Sequence, residues 1–172
     1  RLIANPSWQV ATAPIEHMNF MYEKMASEGQ KRALELRFAE YYSARLSAAG
    51  LGFTNDRDQA QLQTELVDFM AITARQPALR AELVNMARAY SGYGADGKIH
   101  PEAANPVIIG TALVVAVDEL GSDFVDHLYQ LTIGSTDAVV RGRALDAIGN
   151  TKDPAKAAEV RELVFSPLLR DN

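Results

Sequence analysis

The chain has 172 residues, of which 48% are hydrophobic and 23% are charged, and its formal net charge is −5. This composition is typical of a globular protein long enough to bury a substantial core. The acidic balance, with no cluster of Lys and Arg, disfavours nucleic acid as a partner. The absence of cysteine excludes disulfides, thiolate zinc ligands and cysteine nucleophiles.

The sequence predicts no membrane-spanning helix and no signal peptide. Its most apolar stretch, PVIIGTALVVAV (106–117), is shorter than the roughly 18 residues that a span requires, and Asp118 and Glu119 follow it. These features favour a soluble, cytoplasmic chain. Because the chain begins at Arg1 rather than Met, we expect it to be a fragment of a longer protein.

Helical periodicity runs through the first half of the chain. Pro14 begins a predicted helix over 14–25, and a second segment over 28–50 ends at Gly50, a common helix terminator. A third predicted helix covers 56–75, with acidic residues near its start. Pro77 then begins a fourth helix.

The second half begins with a Gly- and Pro-rich loop over 91–106, in which SGYGADG is interpreted as a flexible surface segment. Four predicted helices follow, over 106–120, 122–134, 135–149 and 153–165. Their predicted N-caps are Ser122, Ser135 or Thr136, and Asp153, and their predicted ends are Gly121, Gly134 and Gly149.

No segment has the alternation of a strand, and the connections are short. A weak internal similarity between LRAELVNMA (79–87) and VRGRALDAI (140–148) is typical of stacked helical repeats. The sequence therefore predicts one all-α domain over residues 1–172. We expect a curved superhelical stack of antiparallel helical hairpins, HEAT- or armadillo-like, with about eight helices.

Few residues indicate chemistry. None of His17, His100 and His127 has a second His at zinc-ligand spacing, so we interpret all three as structural or solvated. The carboxylate pairs Asp118/Glu119 and Asp123/Asp126 lie at helix ends, where solvation and the helix dipole explain them. No phosphate loop or nucleophile elbow occurs.

The stretch STDAVVRGRALDAIGNTKDP (135–154) has two candidate roles. Arg141 and Arg143 point to different sides of a helix, and one of them is suited to bind a peptide carboxylate. The interpretation we favour is a ladder, in which an Arg binds acidic groups or carbonyls of a neighbouring hairpin. The apolar face predicted beneath them consists of Val139, Val140, Ala144, Leu145 and Ile148.

The order of segments resembles the C-terminal helical domain of gluzincin zinc aminopeptidases of the puromycin-sensitive and endoplasmic-reticulum aminopeptidase type. The resemblance covers residues 5–172. It is most specific over 124–172, where an aromatic-rich helix precedes the hairpin at 135–154. The chain departs from the pattern at 91–106, which is glycine-rich and lacks the Leu-Arg usually found before the next helix.

The resemblance implies a non-catalytic domain that closes over an upstream catalytic domain and encloses the substrate cavity. The parent would remove N-terminal residues from peptides. Its zinc and the His-Glu-x-x-His helix would lie in the catalytic domain, so no catalytic residue, metal ligand or cofactor is predicted here, and this fragment alone is predicted to be inactive. The expected partners are that catalytic domain and peptide substrates. The candidates for peptide contact are Tyr41, Tyr42, Tyr90, Tyr93, Arg141 and Arg143.

An alternative is a stand-alone helical-repeat scaffold that binds another protein along its concave face. It accounts for the same helices without the family resemblance, and it predicts a reading frame that begins near Arg1. A free-standing small-molecule enzyme has no supporting group of residues.

Overall fold

The computed structural model describes residues 2–165, and all the regular structure in this range is helical. Eight of the nine α-helices in the range have seven residues or more, which confirms the all-α prediction of about eight helices. The helices are α1 Trp8–Thr12, α2 Pro14–Phe20, α3 Glu28–Ala49, α4 Arg57–Asp68, α5 Pro77–Ser91, α6 Ile109–Leu120, α7 Ser122–Gly134, α8 Ala138–Ile148 and α9 Pro154–Phe165. A short 3-10 turn occupies Pro101–Ala103.

Short carboxylate side chains begin several helices by accepting backbone N–H groups of the first turn. Asp56 does so for α4, with distances of 2.9 and 3.1 Å. Asp153 does so for α9, as predicted. The prediction of Ser135 or Thr136 for α8 is wrong, because the Asp137 carboxylate accepts the free N–H groups there at 2.8 and 3.3 Å.

The start of α7 also differs from the prediction. Gly121, rather than Ser122, is the residue that precedes the helix, and Ser122 is its first helical residue. The Ser122 hydroxyl instead donates to Asp153 Oδ2 at 2.7 Å. The side chain therefore links the start of α7 to the start of α9, which periodicity within one helix does not predict.

Two of the predicted helices end in a wider π-helical turn. Met21–Met25 continues α2 and Phe69–Thr73 continues α4. In each, an N–H donates to the carbonyl five residues earlier, Ala26 to Met21 and Ala74 to Phe69, both at 2.9 Å. Hydrophobic periodicity over a single turn does not separate this geometry from an α-helix.

The chain folds into two compact units, and the division between them falls within α5. The N-terminal unit contains α1 to α4 together with residues 105–108. The C-terminal unit contains residues 82–104 and α6 to α9. The single domain and the curved superhelix remain predictions.

Aromatic rings form the centre of the N-terminal unit. Phe38 and Tyr42 lie one turn apart on α3, and their ring centroids are 5.4 and 5.3 Å from that of Phe69. All three side chains are buried, together with Leu62 and Leu66 of α4. Burial of each large side chain stabilises the fold by about 1.5–3 kcal/mol.

Helices α6, α7 and α8 pack against one another in the C-terminal unit. The apolar run at 109–117 is explained by α6, whose Ile109, Leu113 and Val115 are completely or almost completely buried. Within residues 2–165, no helix combines the length and apolarity needed to cross a membrane.

Candidate functional site

The neighbouring tyrosines of α3 have different environments. Tyr42 is fully buried, and its hydroxyl donates to the carbonyl of Ala11 at 3.1 Å. Burial raises the pKa of Tyr42 to about 12. Tyr41 is 43% exposed, and its hydroxyl accepts from Arg37 Nε at 3.1 Å. Only Tyr41 of this pair has a solvent-exposed side chain.

The two tyrosines near the loop also differ. Tyr90 is buried and belongs to the core. Tyr93 is half-buried, and its ring meets those of Phe124 and His127 edge-on, with centroids 5.1 and 5.2 Å away. Contact of Tyr42 and Tyr90 with peptide stays a prediction, and the structure buries both side chains.

Arg141 and Arg143 are both half-buried on α8. Arg141 Nη1 donates to the carbonyl of Ser135 at 3.4 Å, within the same hairpin. The apolar face predicted beneath them is present at Val140, Ala144 and Ile148, which are buried. Val139 is 58% exposed and does not belong to that face.

The histidines differ in their surroundings. His17 is exposed on α2. His100 Nε2 lies 3.0 Å from Asp96 Oδ1, and this hydrogen bond raises the pKa of His100 and lowers that of Asp96. His127 Nε2 donates to the carbonyl of Ser91 at 2.8 Å. In the described part of the chain, no three His, Cys, Asp or Glu side chains form a group able to hold a metal ion.

The carboxylates predicted to be solvated at helix ends include two that bind lysines. Asp118 pairs with Lys152, and Asp126 lies 2.6 Å from Lys156 Nζ. Lys156 donates hydrogen bonds to Asp126 and Glu159, and these bonds raise the pKa of Lys156 to about 12, with the bond to Asp126 contributing most. Ion pairs thus join α6 to Lys152, just before α9, and α7 to Lys156 on α9.

The C-terminal unit contains a cavity of about 410 Å³ that sequence patterns did not indicate. One wall is the loop segment at Lys98 and Ile99, and the other is the face of α7 that carries His127, Gln130, Leu131 and Gly134. The i, i+3, i+4, i+7 spacing of these α7 residues was visible in the sequence. The position of the loop wall opposite these residues was not visible in the sequence.

Backbone contacts shape the loop wall, and the flexibility predicted for SGYGADG stays a prediction. Gly92 has φ +65°, and a Cβ there would lie 2.6 Å from backbone atoms of Lys98. Only glycine fits this close approach. Asp96 accepts the N–H of Lys98 at 3.1 Å, and the N–H of His100 donates to the carbonyl of Tyr90 at 2.8 Å.

Comparison with known proteins gives no relative: no protein family, curated protein or solved structure matches the chain.

Proposed function

We propose that this chain is the non-catalytic helical domain of a zinc aminopeptidase of the gluzincin type. It would close over an upstream catalytic domain, enclose the substrate cavity and contact peptide, while the parent enzyme removes N-terminal residues. The observation that carries the proposal is the ordered sequence pattern over 124–172. The all-α fold, with α7, α8 and α9 at the segments of that pattern, supports it.

Some of the proposed peptide contacts remain accessible after folding, in each of the two units. Tyr41 supplies an exposed aromatic ring, Tyr93 a half-buried one, and Arg141 and Arg143 supply guanidinium groups on α8. A guanidinium binds a carboxylate or a backbone carbonyl through charge-assisted hydrogen bonds. Peptide recognition by this domain would therefore combine ring contacts with one or two such bonds.

The first test is to read the coding sequence upstream of Arg1. We expect a His-Glu-x-x-His motif followed by a further Glu, because three protein ligands complete a catalytic zinc site in this family. A start codon near Arg1 with no such motif would contradict the proposal. It would favour the stand-alone scaffold, whose partner would be another protein.

A second test uses the 172-residue chain alone with aminoacyl reporter substrates and added zinc. We expect no hydrolysis, because the proposal places the zinc ligands in the upstream domain. Hydrolysis that follows the protein through purification and is abolished by a chelator would overturn the assignment of a non-catalytic role. A zinc aminopeptidase expressed from the complete reading frame is the positive control.

A further inference from the structure

We propose that the cavity between α7 and the loop segment at Lys98 and Ile99 binds a small aliphatic monocarboxylate. This site lies entirely within the C-terminal unit. Its volume of about 410 Å³ falls in the range of small-molecule sites, about 300–1,000 Å³. The proposal does not rest on the aminopeptidase assignment, so failure of either one leaves the other standing.

The polar groups of the lining favour an anion. Lys98 contributes an ammonium group that has no acidic partner among the described residues. Gln130 contributes an amide that is likewise without a hydrogen-bond partner in the described part of the chain. Among the described residues, no Asp or Glu lines the cavity. Lys98 supplies the one charged group among the described lining residues, and a monocarboxylate of single negative charge neutralises it.

His127 is held in a fixed orientation at the cavity wall. Its Nε2–H donates to the carbonyl of Ser91, so Nδ1 is the ring nitrogen left for a ligand, as an acceptor in the neutral ring and as a donor to a carboxylate only when the ring carries both protons. The rings of Tyr93 and Phe124 pack against the imidazole, with centroids 5.2 and 6.2 Å away. A fixed side chain binds a ligand without a large cost in conformational entropy.

Aliphatic side chains supply the rest of the site. Ile99 on the loop and Leu131 on α7 line the cavity, and Gly134 leaves space at the end of the helix, since a Cβ there would meet no atom within 4 Å. Apolar walls with a few polar groups are typical of sites that bury an aliphatic body and bind one polar head. A branched carboxylate of about six carbons would occupy part of this volume, with its aliphatic body against Ile99 and Leu131.

The test is a titration of the ¹⁵N-labelled 172-residue chain with 4-methylpentanoate, followed by amide chemical shifts. We expect saturable shifts at Lys98, His127, Gln130 and Gly134, with a dissociation constant on the order of 1 mM. The neutral 4-methylpentanamide should bind at least about tenfold more weakly, because it lacks the charge that Lys98 attracts. The dianion 3-methylbutyl phosphate has a body of similar size and tests whether the site prefers a phosphate head group to a carboxylate.

Two variants locate the binding. Lys98→Gln should weaken 4-methylpentanoate about tenfold, as expected for loss of one charge-assisted contact. Gly134→Leu should abolish binding by filling the space, while the thermal unfolding midpoint is retained. The matched controls are Lys24→Gln and Gly29→Leu in the N-terminal unit. A Cβ at Gly29 would also meet no atom within 4 Å, and both controls should leave the affinity unchanged.

Three results would overturn the proposal. One is the absence of saturable shifts at the cavity in the folded chain. Another is binding of the amide within about twofold of the acid, which would show that the head group is not recognised. The third is tighter binding of the phosphate ester, which would assign the site to a different anion.

Discussion

Tyr41 and Tyr42 are adjacent in the sequence, yet the chain uses them differently. The hydroxyl of Tyr42 is buried and satisfies a backbone carbonyl of α1, whereas that of Tyr41 lies on the surface beside Arg37. A buried hydrogen bond that loses one partner leaves the other without water to replace it. The same substitution, Tyr to Phe, therefore removes a buried hydroxyl at one position and an exposed hydroxyl at the other.

Tyr42→Phe should lower the free energy of unfolding by about 1–2 kcal/mol, because the carbonyl of Ala11 loses a buried donor. Tyr41→Phe should change it by less than about 0.5 kcal/mol, as is usual for an exposed position. Urea unfolding followed by circular dichroism measures both. Equal effects of the two substitutions would contradict the burial assigned here.

His100 and Asp96 form an exposed pair whose strength depends on pH. The pKa of His100 is raised from 6.5, so its contribution is fully present below pH 6.5 and is lost as the pH rises through the folded-state pKa. The pKa of Asp96 is lowered from 3.8, so its contribution is present above pH 3.8 and is lost as the pH falls through the folded-state pKa. The pair is complete between about pH 4 and pH 6.

Asp96→Asn should bring the pKa of His100 back towards 6.5, as measured by NMR titration of the imidazole protons. Glu102→Gln should have a smaller effect, because Glu102 lies 3.5 Å from Nδ1 whereas Asp96 lies 3.0 Å from Nε2. A larger shift from the Glu102 substitution would show that the loop has a different arrangement in solution.

At the scale of elements, a buried amide network joins residues 105–108 to the rest of the N-terminal unit. Asn105 Nδ2 donates to the carbonyls of Leu51 and Gly52 at 3.1 and 3.0 Å, and Gln63 Oε1 lies 3.3 Å away. Gln63 Nε2 in turn donates to the carbonyl of Ala49 at 3.1 Å. The network satisfies carbonyls at and just beyond the end of α3, which lack helical partners.

Asn105→Ala should lower the free energy of unfolding by about 2–3 kcal/mol, because it leaves the carbonyl of Leu51 and Oε1 of Gln63 without the donor that Asn105 supplies. Urea unfolding measures the loss. The control is Asn150→Ala, whose amide donates to the carbonyl of Asp146 on an exposed surface and should matter by about 0.5 kcal/mol or less. Similar losses from the two substitutions would argue against a buried network at Asn105.

Gln63→Ala, combined with Asn105→Ala, tests whether the two amides act together. We expect the double variant to lose less stability than the sum of the single losses, with a coupling of about 1 kcal/mol, since either substitution alone already removes the hydrogen bond from Asn105 Nδ2 to Gln63 Oε1. Strict additivity would show that they stabilise the fold independently.

At the scale of the whole molecule, substitution of Arg141 and Arg143 tests whether these side chains bind peptide or form a structural ladder between helices. In the parent enzyme, Arg141→Ala or Arg143→Ala, whichever removes the Arg that binds peptide, should raise KM for long peptides about tenfold. The KM for short reporter substrates should change little. Arg57→Ala, which removes an exposed guanidinium at the start of α4, is the control. Equal effects on both substrate lengths, or loss of stability alone, would favour the ladder.

The helices themselves were predictable because their signals are local. Pro14, Pro77 and Gly50 mark helix boundaries through their own backbone preferences, and the structure has boundaries at those residues. The candidate site was less predictable. The spacing of His127, Gln130, Leu131 and Gly134 on one face of α7 was evident, but the loop that covers that face was not.

The all-α class, the number of helices and most of their boundaries follow from the amino-acid order alone, because backbone preferences and periodicity act over a few residues. Three features instead required the folded chain: the burial of Tyr42 beside an exposed Tyr41, the attachment of Asn105 near the end of α3, and the position of Lys98 across a cavity from α7. These depend on contacts between segments far apart in the chain, as in the 53 residues that separate Asn105 from Gly52. Long-range packing selects one such arrangement from many that local preferences allow equally.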